Sequence, residues 1–105
     1  MKQYDIVIVG LDPTIGAEMK KVRPCLVVSP DEMNDSLRTV QVAPLTTNAR
    51  RYPWRVAINF QRKKGMVALD QLRTIDRRRV LKRAGKARPQ VVSDIKRLLH
   101  EMLVQ

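Results

Sequence analysis

The sequence predicts a mainly β fold, a small and strongly bent barrel, closed by one C-terminal α-helix. Short β-branched runs recur along the first three quarters of the chain, spaced roughly 8 to 15 residues apart, as in small barrels. After Pro89 the apolar period changes from two to three and four residues, the mark of an amphipathic helix. The length of 105 residues and 44% apolar content fit one compact domain with a modest core, the barrel taking residues 4–88 and the helix 89–104.

The first strand is expected at Asp5–Gly10, a short run too β-branched for a helix. Arg23–Ser29 repeats the pattern, with Pro24 near its start, where a missing backbone donor is tolerated. Ser29 to Asn34 reads as a turn, with one helical turn after Pro30. Thr39–Leu45 makes a third strand, Trp54–Phe60 a fourth and Gly65–Leu69 a fifth, with Leu72–Ile75 following a bend. Residues 61–65, Gln-Arg-Lys-Lys-Gly, form a hairpin turn, and with the polar loop 46–53 they place cations at the barrel rim. Asp76 caps a turn, and the basic segment after it, broken by Gly85, is a strand or an extended arm. From Pro89 the stripe of Val91, Val92, Ile95, Leu98, Leu99, Met102 and Leu103 builds the helix. Trp54, on an apolar strand, is assigned to the core rather than to an exposed stacking platform.

Charge is distributed unevenly. Residues 1–49 carry five basic and six acidic side chains, whereas residues 50–105 carry sixteen basic and four acidic, for a net of +11 overall. Concentrated positive charge is the usual footprint of a phosphate-rich partner, because each neutralised phosphate releases condensed counterions; a soluble basic surface or a patch that meets an acidic protein is the other reading. Ile6–Val9 is far shorter than the roughly 20 apolar residues of a membrane span, and a signal-peptide core is missing, so a cytoplasmic protein with no membrane contact is expected. The lone Cys25 has no intramolecular disulfide partner and sits in an apolar run. One cysteine and one histidine cannot build a zinc cluster of the usual spacing, and no metal or cofactor is expected. His100 falls off the helix stripe and reads as solvated.

Polar residues at strand ends and loops remain: Glu18, Arg23, Thr46, Thr47, Asp70 and Gln71. Cleaving RNA requires a group that takes the 2′-hydroxyl proton, donors or cations for the developing phosphorane charge, and help for the departing 5′-oxygen. A carboxylate, an arginine and a hydroxyl supply these. The guanidinium fork fits phosphate bidentately, and Pro24 stiffens the backbone that aims Arg23. On residue types alone, Glu18 and Arg23 serve equally well as an ion pair bracing the loop.

Three ordered motifs add to this reading. Leu11-Asp-Pro-Thr-x-Gly-x-Glu18 leads to Arg23-Pro24 and an apolar strand ending in Ser29-Pro30. Val42-Ala-Pro-Leu-Thr46-Thr47 follows, with Tyr52-Pro53 after it, and then Val67-Ala-Leu-Asp70-Gln71-Leu-Arg-Thr-Ile-Asp76. Together they resemble the MazF/PemK (Kid) toxin endoribonucleases from about Tyr4 through the final helix. The resemblance implies an SH3-like β-barrel of the CcdB/MazF toxin type, assembled as a homodimer, with single-stranded RNA in a groove near the dimer interface and a cognate antitoxin as inhibitor. It implies metal-independent, sequence-specific cleavage that leaves a 2′,3′-cyclic phosphate and a 5′-hydroxyl.

Carried over by position, Arg23 matches the family's catalytic arginine, Thr46 its phosphate-binding threonine and Glu18 a candidate base. Thr47, Asn48, Arg50, Asp70, Gln71, Lys20 and Lys21 are the expected RNA contacts. Ala17 and Ala68 stand where the Kid branch has a histidine and an arginine. An acid–base scheme through those two positions is therefore closed to this chain, which favours Glu18, Arg23 and Thr46. Guanidinium groups hold their protons at neutral pH, so Arg23 suits charge stabilisation better than proton donation. Two other functions fit the same barrel and helix. One is a binding module without chemistry, the other a CcdB-type gyrase poison; the Arg-Pro and Thr-Thr motifs weigh against the second.

Overall fold

The structure is a computed structural model that describes residues 1–10, 21–47 and 52–104. Among the described residues, seven strands form a curled antiparallel half-barrel, with a C-terminal helix packed against it. They are β1 (Asp5–Gly10), β2 (Val22–Val27), β3 (Thr39–Thr46), β4 (Arg55–Phe60), β5 (Lys63–Ala68), β6 (Arg73–Asp76) and β7 (Val80–Lys86). The short helix α1 (Asp31–Ser36) lies between β2 and β3, and α2 spans Pro89–Leu103. Strand order is β4-β5-β3-β2-β1-β7, with β6 also paired to β3.

β3 is the hub because its eight residues serve three partners. Its pairing with β5 sets Thr46 opposite Met66, and its pairing with β6 sets Val42 opposite Arg73. These registers differ by three residues, the length of the 3-10 turn Leu69–Gln71 between β5 and β6. The turn buries Leu69 and pushes Asp70 and Gln71 outward. The insertion also breaks the ladder, as a bulge does, and lets the sheet bend.

Strand alternation gives the curled sheet two buried faces. Ile6, Leu26, Ala43, Leu45, Val56, Ile58 and Val67 form the interior that α2 covers with Ile95 and Leu98. On the other face Val7, Val9, Cys25, Val27, Val40, Val42 and Ile75 pack together. α2 starts at Pro89, whose fixed φ suits the first helical position. The stripe read from sequence runs longer than the packing: Met102 and Leu103 are exposed, beyond the interior cluster to which Val91, Val92 and Leu99 still belong.

Two local expectations change. Gln61 and Arg62 alone make the β4–β5 turn, both at positive φ (50° and 63°), and Lys63 to Gly65 belong to β5. Trp54 lies in the turn before β4, where the Arg55 amide donates to the Tyr52 carbonyl at 3.1 Å. Trp54 is 39% exposed rather than buried in the core. The segment after Asp76 resolves into a 3-10 turn, Arg77–Arg79, followed by β7. Asp76 caps that turn by accepting from the Arg78 amide at 2.8 Å.

Candidate active site

Arg23 and Thr46 are 23 residues apart in sequence and are brought to one cleft through strand register. β2 pairs with β3 as Cys25↔Pro44, Leu26↔Ala43 and Val27↔Val42. Continuing this register two residues outward sets Arg23 opposite Thr46 on one face of the sheet, because residues two apart share a face. Both side chains line one cleft of about 360 Å³ at the strand ends, together with Thr47, Lys63 and Lys64. Arg23 is exposed and Thr46 half-buried, so a ligand can reach both.

Arg23 also borders a second cleft, of about 290 Å³, with Gln71 and Arg73. Extrusion by the 3-10 turn carries Gln71 there. Cys25 lies on the same wall, and its Sγ donates a long hydrogen bond of 3.8 Å to the Arg23 carbonyl. Burial pushes the Cys25 thiol up to about 11, against the opposing pull of Arg23 and Arg73. A protonated thiol is a poor nucleophile, which leaves Cys25 a packing residue.

Asp70 departs from the group. Although adjacent to Gln71, it is held by Arg55 from the neighbouring ribbon, with Nε to Oδ1 at 3.1 Å and Nη2 to Oδ2 at 3.3 Å. The Arg55 guanidinium lies 4.7 Å from the Tyr52 ring centroid, and Tyr52 stacks on Trp54 at 5.3 Å with planes 9° apart. Sequence reasoning missed Arg55 and Arg73. The run Tyr-Pro-Trp-Arg at 52–55 carried a signal for Arg55, an aromatic pair beside a cation.

Lys21 is exposed just before β2. Glu18, Lys20, Asn48 and Arg50 lie outside the described residues. Among the described residues, no group of three or more His, Cys, Asp or Glu side chains is placed to hold a metal ion.

Fold and cleft together define a class, a small basic barrel-and-helix protein with a cation-lined cleft at its strand ends. Residues 2–103 match the PemK-like, MazF-like toxin family of type II toxin-antitoxin systems. The chain is 30% identical to the endoribonuclease toxin MazF of Escherichia coli K12 over 100 residues, 94% of this chain and 90% of that protein. It is 38% identical to the endoribonuclease PemK of Escherichia coli over 81 residues, 72% of this chain and 61% of PemK. The MazE–MazF structure from Deinococcus radiodurans (Form-II) superposes with a TM-score of 0.83 at 27% identity, covering 100% of this chain and 96% of that one. The chain belongs to the PemK-like, MazF-like toxin family.

Proposed function

We propose that this chain is the toxin of a toxin–antitoxin pair and cuts single-stranded RNA in the cytoplasm, with Arg23, Thr46 and Glu18 as its catalytic residues. The observation that carries the reading is the convergence of Arg23 and Thr46 on one cationic cleft, in a family whose curated relatives are endoribonucleases. Barrel and helix act as one domain in a homodimer, and a cognate antitoxin inhibits it by covering the basic surface. None of the helices among the described residues is long and apolar enough to cross a membrane.

The substrate's own 2′-hydroxyl is the nucleophile, held beside the phosphorus and so effectively intramolecular. Glu18 takes its proton as the 2′-oxygen bonds to phosphorus and the bond to the 5′-oxygen breaks. Arg23 and the Thr46 hydroxyl hold the phosphorane oxygens as charge develops on them. Water protonates the departing 5′-oxygen, leaving a 2′,3′-cyclic phosphate and a 5′-hydroxyl. Thr47, Gln71 and Lys21 contact flanking RNA with Asn48, Arg50 and Lys20, whereas Asp70 acts through Arg55.

Two oligonucleotides that differ only in a ribose or deoxyribose at the scissile position test this, incubated in chelator. The ribose form should be cut and the deoxy form bound but intact; cutting of the deoxy form would exclude transesterification. Binding of both forms without cutting of either would indicate a binding module. Arg23→Ala and Thr46→Ala should each slow cleavage by about tenfold or more while the fold persists.

A further inference from the structure

A groove of about 710 Å³ lies beside the candidate cleft, between the β4–β5 ribbon and the start of α2. The two share Thr47, Ile58, Lys64 and Gly65, so they are continuous. Ile6, Ala57 and Ile58 give its lining apolar surface, and Lys64, Lys86 and Arg88 supply cations. Among the described residues the lining includes no carboxylate. Among the described residues no ion pair engages Lys64, Lys86 or Arg88.

One end of the groove is built from Tyr52 and Arg55. Tyr52 packs against both the Arg55 guanidinium and the Trp54 indole. Asp70 fixes Arg55 by the bidentate pair, and the Arg55 side chain is only 9% exposed. Trp54, Tyr52, Arg55 and Asp70 thus form one braced cluster beside the groove, and its Trp54 is an exposed residue. A flat aromatic surface already held in place costs little to order when a ligand stacks on it.

We propose that this groove is an RNA subsite flanking the scissile phosphate, with one base stacked on Trp54 and the backbone following Lys64, Lys86 and Arg88. The inference rests on the nuclease reading and extends it to a residue that sets substrate length and base preference. Cationic grooves with aromatic platforms suit single strands, since every base has a face to stack while the phosphates follow the charge. Continuity with the cleft favours RNA over an acidic peptide, because a strand cut beside Arg23 must leave the cleft along a neighbouring channel.

Trp54 is the chain's single tryptophan, so its fluorescence reports directly on the platform. Uncleavable oligonucleotides, deoxy at the scissile ribose, are titrated in three forms: minimal, extended on the 5′ side, and extended on the 3′ side. One extended form should quench Trp54 while the minimal form does not. Trp54→Ala should weaken binding of that extended form by about tenfold, and Trp54→Tyr should recover most of the loss. Replacing both Lys86 and Arg88 by Gln should flatten the salt dependence of its log affinity by roughly 1.4.

Binding of all three forms without quenching would overturn the subsite, as would quenching by poly-glutamate and by no RNA. All-ribose oligonucleotides of both extended forms that are cut without quenching refute the groove alone, whereas one that quenches without being cut refutes the nuclease reading alone. Failure of every RNA to bind would remove both.

Discussion

Gly65 separates the packing of the cleft from its chemistry. It lies in β5 opposite Ile58, and the next residue, Met66, pairs with Thr46. A Cβ built at Gly65 would stand 2.8 Å from the Thr46 carbonyl oxygen and 3.6 Å from its carbon. Contact with backbone cannot be relieved by turning a side chain, so Gly65→Ala must push β3 away at the residue proposed to bind phosphate. Overpacking of this kind costs about 1–3 kcal/mol. The loss of glycine's freedom in the unfolded chain returns roughly 0.4–1 kcal/mol. The net is a destabilisation of about 1–2 kcal/mol, or roughly 5–15 °C in Tm for a domain of this size. Gly85→Ala is the control. Its new methyl would meet Phe60 Cε1 at 3.8 Å and Ile6 Cδ1 at 4.0 Å, ordinary contacts, so stability should rise by about 0.4–1 kcal/mol. Urea unfolding followed by circular dichroism should show a lower midpoint for Gly65→Ala and a higher one for Gly85→Ala, with unchanged slopes. At a temperature where both are folded, Gly65→Ala should cleave RNA roughly tenfold more slowly, because Thr46 is displaced. A Gly65→Ala protein with wild-type midpoint and rate would refute the claim that this close approach sets the position of Thr46.

Two further outcomes follow from local backbone and charge. Gln61 and Arg62 hold the left-handed conformation that Asn-Gly adopts more readily in two-residue hairpins, so the double change Gln61→Asn, Arg62→Gly should raise the urea midpoint by the equivalent of about 1 kcal/mol; an unchanged midpoint would argue against strain in the turn. Hydrogen bonds from the Arg78 side chain and amide hold the Asp76 carboxyl at about 2, below its ordinary 3.8, so its contribution to stability is present above about pH 4 and lost as pH falls through 2. Asp76→Asn should therefore unfold more readily than wild type at pH 6, with the gap closing toward pH 2; a gap that persists at pH 2 would show that the charge is not its source.

Much of the barrel was legible because period and punctuation agree locally. The β-branched run 5–10, the Asp76 cap and Pro89 at the start of α2 each depend on neighbours within a turn or a strand. Trp54 was misread for an identifiable reason. It has the same parity as Val56 and Ile58, which are buried, so a strand extended back to residue 54 would put it inside. The strand instead begins at Arg55, after a turn closed onto Tyr52, and parity carries no information across a turn. Asp70 and Gln71 show the same limit. Sequence treats them as neighbours with one role, whereas the 3-10 turn sends one to Arg55 and the other to the wall beside Arg23.

The alignment of Arg23 with Thr46 is legible only through register, and register here is fixed by burial on both faces of β2. Cys25 and Val27 pack on one side, Leu26 and Val28 on the other. A slip of one residue against β3 would exchange the two sets, placing the sulfur and the valine where α2 and the barrel interior require leucine. It would also turn Arg23 toward that interior, where an unpaired guanidinium is costly. Core volumes on β2 therefore align the two polar residues beyond the core's edge, and a core substitution such as Leu26→Ala should perturb the cleft as well as stability. Loss of about 2–5 kcal/mol is expected for a fully buried leucine, enough to leave much of a marginal domain unfolded. Leu26→Met keeps the volume and should cost less than about 1.5 kcal/mol. If Leu26→Met folds yet cleaves far more slowly than wild type, the core transmits its geometry to Arg23; if its rate is unchanged, backbone pairing alone suffices to hold the register.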